Sequence, residues 1–143
     1  MNIPVRKLDE RARLPRRGSA AAAGADLCAL DGTDIAPGET VMIHTGLAAE
    51  IPDGYVGLLF ARSGLSTKSG LAPANKVGVV DSDYRGELMV ALHNHSDQPR
   101  TVAAGERVAQ LVIMPYVAAV YVETDQLSET ERGEGGYGST GSM

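Results

Sequence analysis

The chain has 143 residues, 43% of them hydrophobic and 22% charged, a balance that suits one compact globular domain. Only 4% are aromatic, with no Trp and a single Phe, so Val, Leu, Ile, Met and Ala must build the core; 17 Gly and 7 Pro are more punctuation than a helical bundle tolerates and favour a turn-rich all-β domain. A formal net charge of −5 argues against a general nucleic-acid binder, which needs a basic face.

From the N-terminus, a basic cluster comes first: Arg6, Lys7, Arg11, Arg13, Arg16 and Arg17, interrupted by Asp9 and Glu10. It reads as a solvated segment, and its charges stand where a signal peptide would place apolar residues. Turn signals then recur at Asp31-Gly32, Pro37-Gly38, Pro52-Asp53-Gly54, Asn94-His95-Ser96-Asp97 and Ala104-Gly105. Between them, Val41–Thr45, Tyr55–Phe60, Lys76–Val80, Glu87–His93 and Arg107–Met114 read as strands. Within Glu87–His93, Leu88, Val90 and Leu92 share one face while Met89 and Ala91 share the other. Neither face is charged, so this strand is expected to be covered on both sides, by a second sheet or a partner subunit.

Residues 62–70 are expected to hold one short helical turn, and residues 124–132 have weakly helical composition. The longest apolar run, Leu111 to Val122, has 12 residues and contains Pro115, short of the roughly 20 needed to span a membrane. Cys28 is the only cysteine, so no intrachain disulfide forms, which fits a reducing compartment; a cytoplasmic protein without membrane contact is the expectation. The last dozen residues contain five glycines with Arg132, Tyr137, Ser139 and Thr140 among them. Such a segment is expected to be mobile: either a plain tail, or a lid offering phosphate donors and a stacking ring on a pliable backbone.

Four further clusters could carry chemistry. Asp26 lies among small residues after Gly24 and either ends a turn or presents a carboxylate. Arg62, Ser63 and Gly64 follow an apolar strand and offer a guanidinium, a hydroxyl and open amides, a set suited to phosphate although not a Walker loop. The run Asn75 to Glu87 reads as a hairpin whose tip carries Asp81, Asp83, Tyr84 and Arg85. That tip is either a polar turn or a rigidly held carboxylate beside a flat wall for a sugar or base. Gln110 is polar within an apolar strand, so its amide either satisfies backbone groups or faces a ligand.

In order along the chain these five clusters read AGADLCA, ARSGLS, NKVGVVDSDYRGE, GERVAQL and RGEGGYGSTG. They resemble, in the same order, the five motifs of the trimeric dUTP diphosphatases (dUTPases), and the likeness runs from about residue 3 to residue 141. The resemblance implies a jelly-roll β-sandwich over residues 1–131, three copies of which form a homotrimer, with residues 132–143 as a flexible arm closing over the site. It implies Mg²⁺-dependent hydrolysis of dUTP to dUMP and pyrophosphate, limiting uracil in DNA and supplying dUMP for dTMP synthesis.

By the same resemblance Asp81 is the general base for water attacking the α-phosphorus. Arg62, Ser63, Gly64 and Gln110 bind phosphates, and Asp26 grips a water of a Mg²⁺ held mainly by the triphosphate. Asn75, with backbone groups at Gly78 and Val80, reads uracil, while Tyr84 packs under the deoxyribose and excludes a 2′-hydroxyl. Arg132, Gly138, Ser139 and Thr140 close over the phosphates as Tyr137 stacks on the base. The stacking position is commonly Phe in this family; Tyr137 retains the ring and its face. One subunit is implied to supply Asp26, Arg62, Ser63, Gly64 and Gln110, a neighbour the segment 75–84, and the third its arm. Two other readings are a dCTP deaminase, whose deaminating centre nothing here resembles, and a nucleotide-binding regulator without turnover.

Overall fold

The structure, a computed structural model, describes residues 1–136. Its elements in chain order are β1 (Val5–Lys7), β2 (Arg16–Arg17), β3 (Ala25–Cys28), β4 (Thr33–Ile35), β5 (Thr40–His44), β6 (Leu47–Ala49) and β7 (Tyr55–Ala61), then α1 (Ser63–Ser69). There follow β8 (Leu71–Pro73), β9 (Gly78–Val80), β10 (Met89–Asn94), β11 (Arg100–Val102) and β12 (Arg107–Pro115). The larger sheet has the order β2-β3-β12-β7-β9 and the second β5-β10-β8, with β1-β6 and β4-β11 as two-stranded ribbons. All pairings in the larger sheet are antiparallel.

Strand alternation sorts the larger sheet into a core face and a chemical face. Leu59 stands opposite Leu111, and both point inward with Leu27 to meet Leu47, Ile51, Val80 and Leu88. Burying each such side chain contributes about 1.5–3 kcal/mol. Directly paired residues share a face, so Arg16, Asp26, Gln110 and Phe60, which are in register across four strands, all lie on the other side. Gly57 permits the packing: a Cβ there would stand 2.5 Å from Ile51 Cδ1. A second core gathers Ile35, Ile43, Leu65, Leu71, Val90, Leu92, Val102 and Val108. Beside it the buried Asn94 amide donates to Ile35 O (2.9 Å) and Gln98 O (2.8 Å) and accepts from Ser96.

Several expectations change in detail. The short helical turn is α1, closed by Gly70 in the left-handed region (φ 68°). Residues 124–132 form no helix. The strand expected over Lys76–Val80 is only β9, because Lys76 takes φ 65° in a turn closed by its amide on Pro73 O (3.0 Å). The segment 75–87 is not a hairpin tip: β9 pairs with β7, whereas β10 pairs with β5 and β8, so residues 81–88 cross from one sheet to the other. In β10, Val90 and Leu92 are buried but Met89 and Ala91 are only half-covered, and Met42 opposite Ala91 is 49% exposed. The expected cover on that second face is therefore incomplete within one chain. No helix among the described residues is long and apolar enough to cross a membrane.

Candidate functional site

Asp26 is the centre of a guanidinium cluster. It lies on β3 beside Arg16 of β2 on one side and Gln110 of β12 on the other. Its Oδ1 accepts Arg62 Nε at 2.9 Å and its Oδ2 accepts Arg107 Nη1 at 3.1 Å. Arg62 follows β7 with an extended backbone, and its Nη1 also donates to Arg107 O at 3.1 Å. The Asp26 carboxylate is four-fifths buried, so this shared pairing orients both guanidiniums rather than merely decorating the surface. A cavity of about 650 Å³ opens here, lined by Arg13, Arg16, Arg17, Arg62 and Arg107 with Asp26 and Glu106. Its charge is positive on a chain whose net charge is −5.

Ser63 and Gly64 open α1 directly after Arg62, and the first intrahelical bond runs from Ser66 N–H to Arg62 O (2.9 Å). The amides of Ser63, Gly64 and Leu65 therefore have no intrahelical acceptor. Ser63 and Gly64 are exposed, and nothing stands within 4 Å of where a Gly64 Cβ would be. Gln110 satisfies a backbone group: its Nε2 donates to Ala61 O at 2.9 Å and fixes the backbone that carries Arg62. Gly24 is required for that pose, because a Cβ there would fall 2.4 Å from Gln110 Oε1.

The second constellation lies at the far side of the larger sheet. Asp81 directly follows β9, exposed, and its carboxylate has no hydrogen-bond partner among the described residues. It rims a cavity of about 230 Å³ together with Asn75, Gly78, Val80 and Tyr84. Tyr84 is held by its hydroxyl donating to Glu87 O at 2.9 Å, and its amide closes a turn on Asp81 O at 3.2 Å. Gly86 leaves room for the ring, since a Cβ there would stand 2.4 Å from Tyr84 Oη. Glu87 anchors the crossing by accepting from Gly46 N–H (2.7 Å) and pairing with His44 Nδ1 (2.8 Å).

Burial raises the Glu87 carboxyl, but the His44 and Gly46 hydrogen bonds outweigh it and hold the group below the usual carboxylate range.

The two constellations do not meet within one chain. Val80 pairs with Gly57, which places Asp81 opposite Val56, six residues before Arg62 along an extended strand. At about 3.3 Å per residue the separation is ~20 Å. Among the described residues the Arg132 side chain, the first of the expected arm, bonds only locally, Nε to Gly135 O at 2.7 Å. Tyr137, Gly138, Ser139 and Thr140 lie outside the described residues. Sequence reading missed Arg16 and Arg107, because a two-residue strand carries no periodicity and Arg16 stood in a run of charges. It also gave no role to Glu87, whose contacts with residues 44–46 are distant in sequence.

The structure defines an all-β domain with a guanidinium-walled cavity on one sheet face and a pocket lined by Asp81, Tyr84 and Asn75 at the sheet's other side. Comparison with known proteins identifies the family. A family model described as dUTPase matches residues 10–141. The chain is similar to a deoxyuridine 5'-triphosphate nucleotidohydrolase of Desulfitobacterium hafniense, 52% identical over 140 residues, covering 96% of this chain and 92% of that protein. It is similar also to one of Nocardia farcinica, 45% identical, covering 97% of this chain and 85% of that protein.

Among solved structures, Staphylococcus bacteriophage 80alpha dUTPase with dUPNHPP superposes with a TM-score of 0.92 at 32% identity, covering 98% of each chain. A mutant dUTPase of S. aureus phage phi11, described with a structural Mg(II) ion, superposes at 0.84 with 28% identity, covering 90% of this chain and all of that one. The chain belongs to the dUTPase family, and its fold is the family's jelly roll.

Proposed function

We propose that the chain hydrolyses dUTP to dUMP and pyrophosphate at sites shared between copies in a homotrimer, water attacking the α-phosphorus with Asp81 as general base. The observation that carries this reading is Asp81 at a strand end, unpartnered among the described residues, on the rim of a cavity with Asn75 and Tyr84. At about 230 Å³ that cavity suits a nucleobase and part of a sugar, and is below the usual range for a whole drug-sized ligand. Backbone groups at Gly78 and Val80 with the Asn75 amide read uracil, and unpaired polar groups reject other bases strongly, by about 10⁴ in favourable cases. Tyr84, fixed by its bond to Glu87 O, walls the deoxyribose against a 2′-hydroxyl.

The separation of ~20 Å along the sheet supports a shared site, because a triphosphate is far shorter than that. A second copy must bring its Arg62, Ser63, Gly64 and Gln110 to the phosphates that lie beside Asp81 of the first. Residues 132–143 act as the arm, with Arg132, Gly138, Ser139 and Thr140 on the phosphates and Tyr137 over the base. Asp81 accepts a proton from the attacking water and holds that water in line with the departing pyrophosphate. The incomplete cover over Met42, Met89 and Ala91 fits assembly with other copies.

Among the described residues no group of three His, Cys, Asp or Glu side chains is placed to hold a metal ion. Asp26 is a single carboxylate in a basic cavity, a donor set that fits Mg²⁺ arriving on the triphosphate rather than a resident ion. Asp26 would hold it, and the ion would neutralise charge on the phosphate oxygens. The single free thiol, Cys28, fits a cytoplasmic location.

The test is release of dUMP and pyrophosphate from dUTP with Mg²⁺, with dCTP, dTTP and UTP in parallel and Asp81→Asn as control. Release from dUTP alone, abolished in the variant, is expected. Ammonia from dCTP, or nucleotide binding without turnover, would overturn the reading.

A further inference from the structure

Tyr84 is 42% exposed, so packing holds its ring only in part. Among the described residues its hydroxyl makes one hydrogen bond, the one to Glu87 O, and the ring therefore follows residue 87. That residue is clasped by the turn between β5 and β6. Its Oε1 accepts from Gly46 N–H at 2.7 Å and its Oε2 pairs with His44 Nδ1 at 2.8 Å. Leu88 is stitched to the same turn, its N–H donating to Leu47 O at 2.7 Å and its carbonyl accepting from Thr45 Oγ1 at 2.6 Å. The crossing itself gives the ring little support: Tyr84 N–H bonds back to Asp81 O, and Arg85 reaches beyond the crossing only to the exposed Glu50, at 3.7 Å. Glu87 also lines the cavity it shares with Asp81, Asn75 and Tyr84, so the clasp lies directly against the pocket.

We propose that Glu87 and His44 are positioning residues that set the preference for deoxyribose over ribose, by fixing the carbonyl on which the Tyr84 hydroxyl rests. The sugar contact rests on the dUTP reading; the clasp itself does not. Two charge-assisted bonds hold residue 87 more firmly than one neutral bond holds the phenol, so the carboxylate sets the carbonyl and the carbonyl sets the ring. Excluding a 2′-hydroxyl requires a wall in close contact with the sugar, and a shift on the order of 1 Å undoes such a fit. Neither residue belongs to the phosphate set, so their loss relaxes the choice of sugar without removing the chemistry.

The test is kcat/KM for dUTP and for UTP, measured in parallel with Mg²⁺ on the full chain. Glu87→Ala should lower the dUTP:UTP ratio about tenfold, and His44→Ala about threefold, the scale of a half-exposed pair. Glu87→Gln, which keeps an acceptor for Gly46 N–H, should stay within about twofold of wild type. Val102→Ala, in the second core, lowers stability without touching the clasp and should leave the ratio unchanged. Tyr84→Phe should match Glu87→Ala, and the double variant should lose no more than either single one, because both break one linkage. A wild-type ratio in Glu87→Ala, an equal change in Val102→Ala, or additive losses in the double variant would overturn the proposal. A wild-type chain indifferent to the sugar would sink the dUTP reading instead. Fluorine NMR of 3-fluorotyrosine-labelled protein then decides the clasp: a Tyr84 resonance moved by Glu87→Ala but not by Val102→Ala upholds it, and an unmoved one refutes it.

Discussion

The separation of Arg62 from Asp81 makes a sharp demand on activity. Each lies at one end of a six-residue stretch beside β7, ~20 Å apart, so neither serves the other's site within a chain. In the proposed site, Arg62→Gln removes a phosphate donor and releases Asp26, while Asp81→Asn removes the proposed base, an expected loss of about 10²–10⁴ in rate. Co-expressed in equal amounts, the two inactive chains should complement. A site drawing Asp81 from one copy and Arg62 from another is intact in about one of four random pairings. Pyrophosphate release from mixed oligomers should thus reach about a quarter of the wild-type rate, against near-background rates for either parent. A mixture no faster than its parents would show that both residues act from one chain, and would refute the divided site.

Three further outcomes follow from particular contacts. Gly24→Ala drives a Cβ to 2.4 Å from Gln110 Oε1 and pushes the amide off Ala61 O; kcat/KM should fall about tenfold or more, with about 1–3 kcal/mol lost in thermal unfolding. Gly86→Ala displaces the Tyr84 ring, whose hydroxyl stands 2.4 Å from the new Cβ, so the preference for dUTP over UTP should shrink in paired kinetic assays. Glu87 has its carboxyl held below the ordinary range, which adds stability fully present above the unfolded value of about 4.3 and lost as pH falls through the lowered one. Glu87→Gln should therefore be less stable than wild type at neutral pH, and the gap should close in denaturant titrations below about pH 4.

Much of this was legible in the sequence because the signals are local. Apolar runs between turn signals announced β7, β10 and β12, and the glycine-containing stretch Arg62–Gly70 announced α1. The sheet change between β9 and β10 was not legible, since Ser82-Asp83 has the chemistry of a hairpin turn and only the pairing of Val80 with Gly57 distinguishes the two. Likewise the cluster of N-terminal charges divides in three dimensions. Arg11 is taken up by Asp9 and Asp31 (2.9 and 2.7 Å), whereas Arg13, Arg16 and Arg17 reach the Asp26 cavity. Gln110 shows the limit of composition in another way: a polar residue in an apolar strand signals a role, and only coordinates show that its amide secures Ala61.

Hydrolysis of dUTP in water enriched in oxygen-18 bears most directly on the chemistry assigned to Asp81. Attack on the α-phosphorus places the label in dUMP and leaves pyrophosphate unlabelled, and Asp81→Asn should suppress both products together. Label appearing in pyrophosphate, or undiminished labelling of dUMP in the variant, would contradict it.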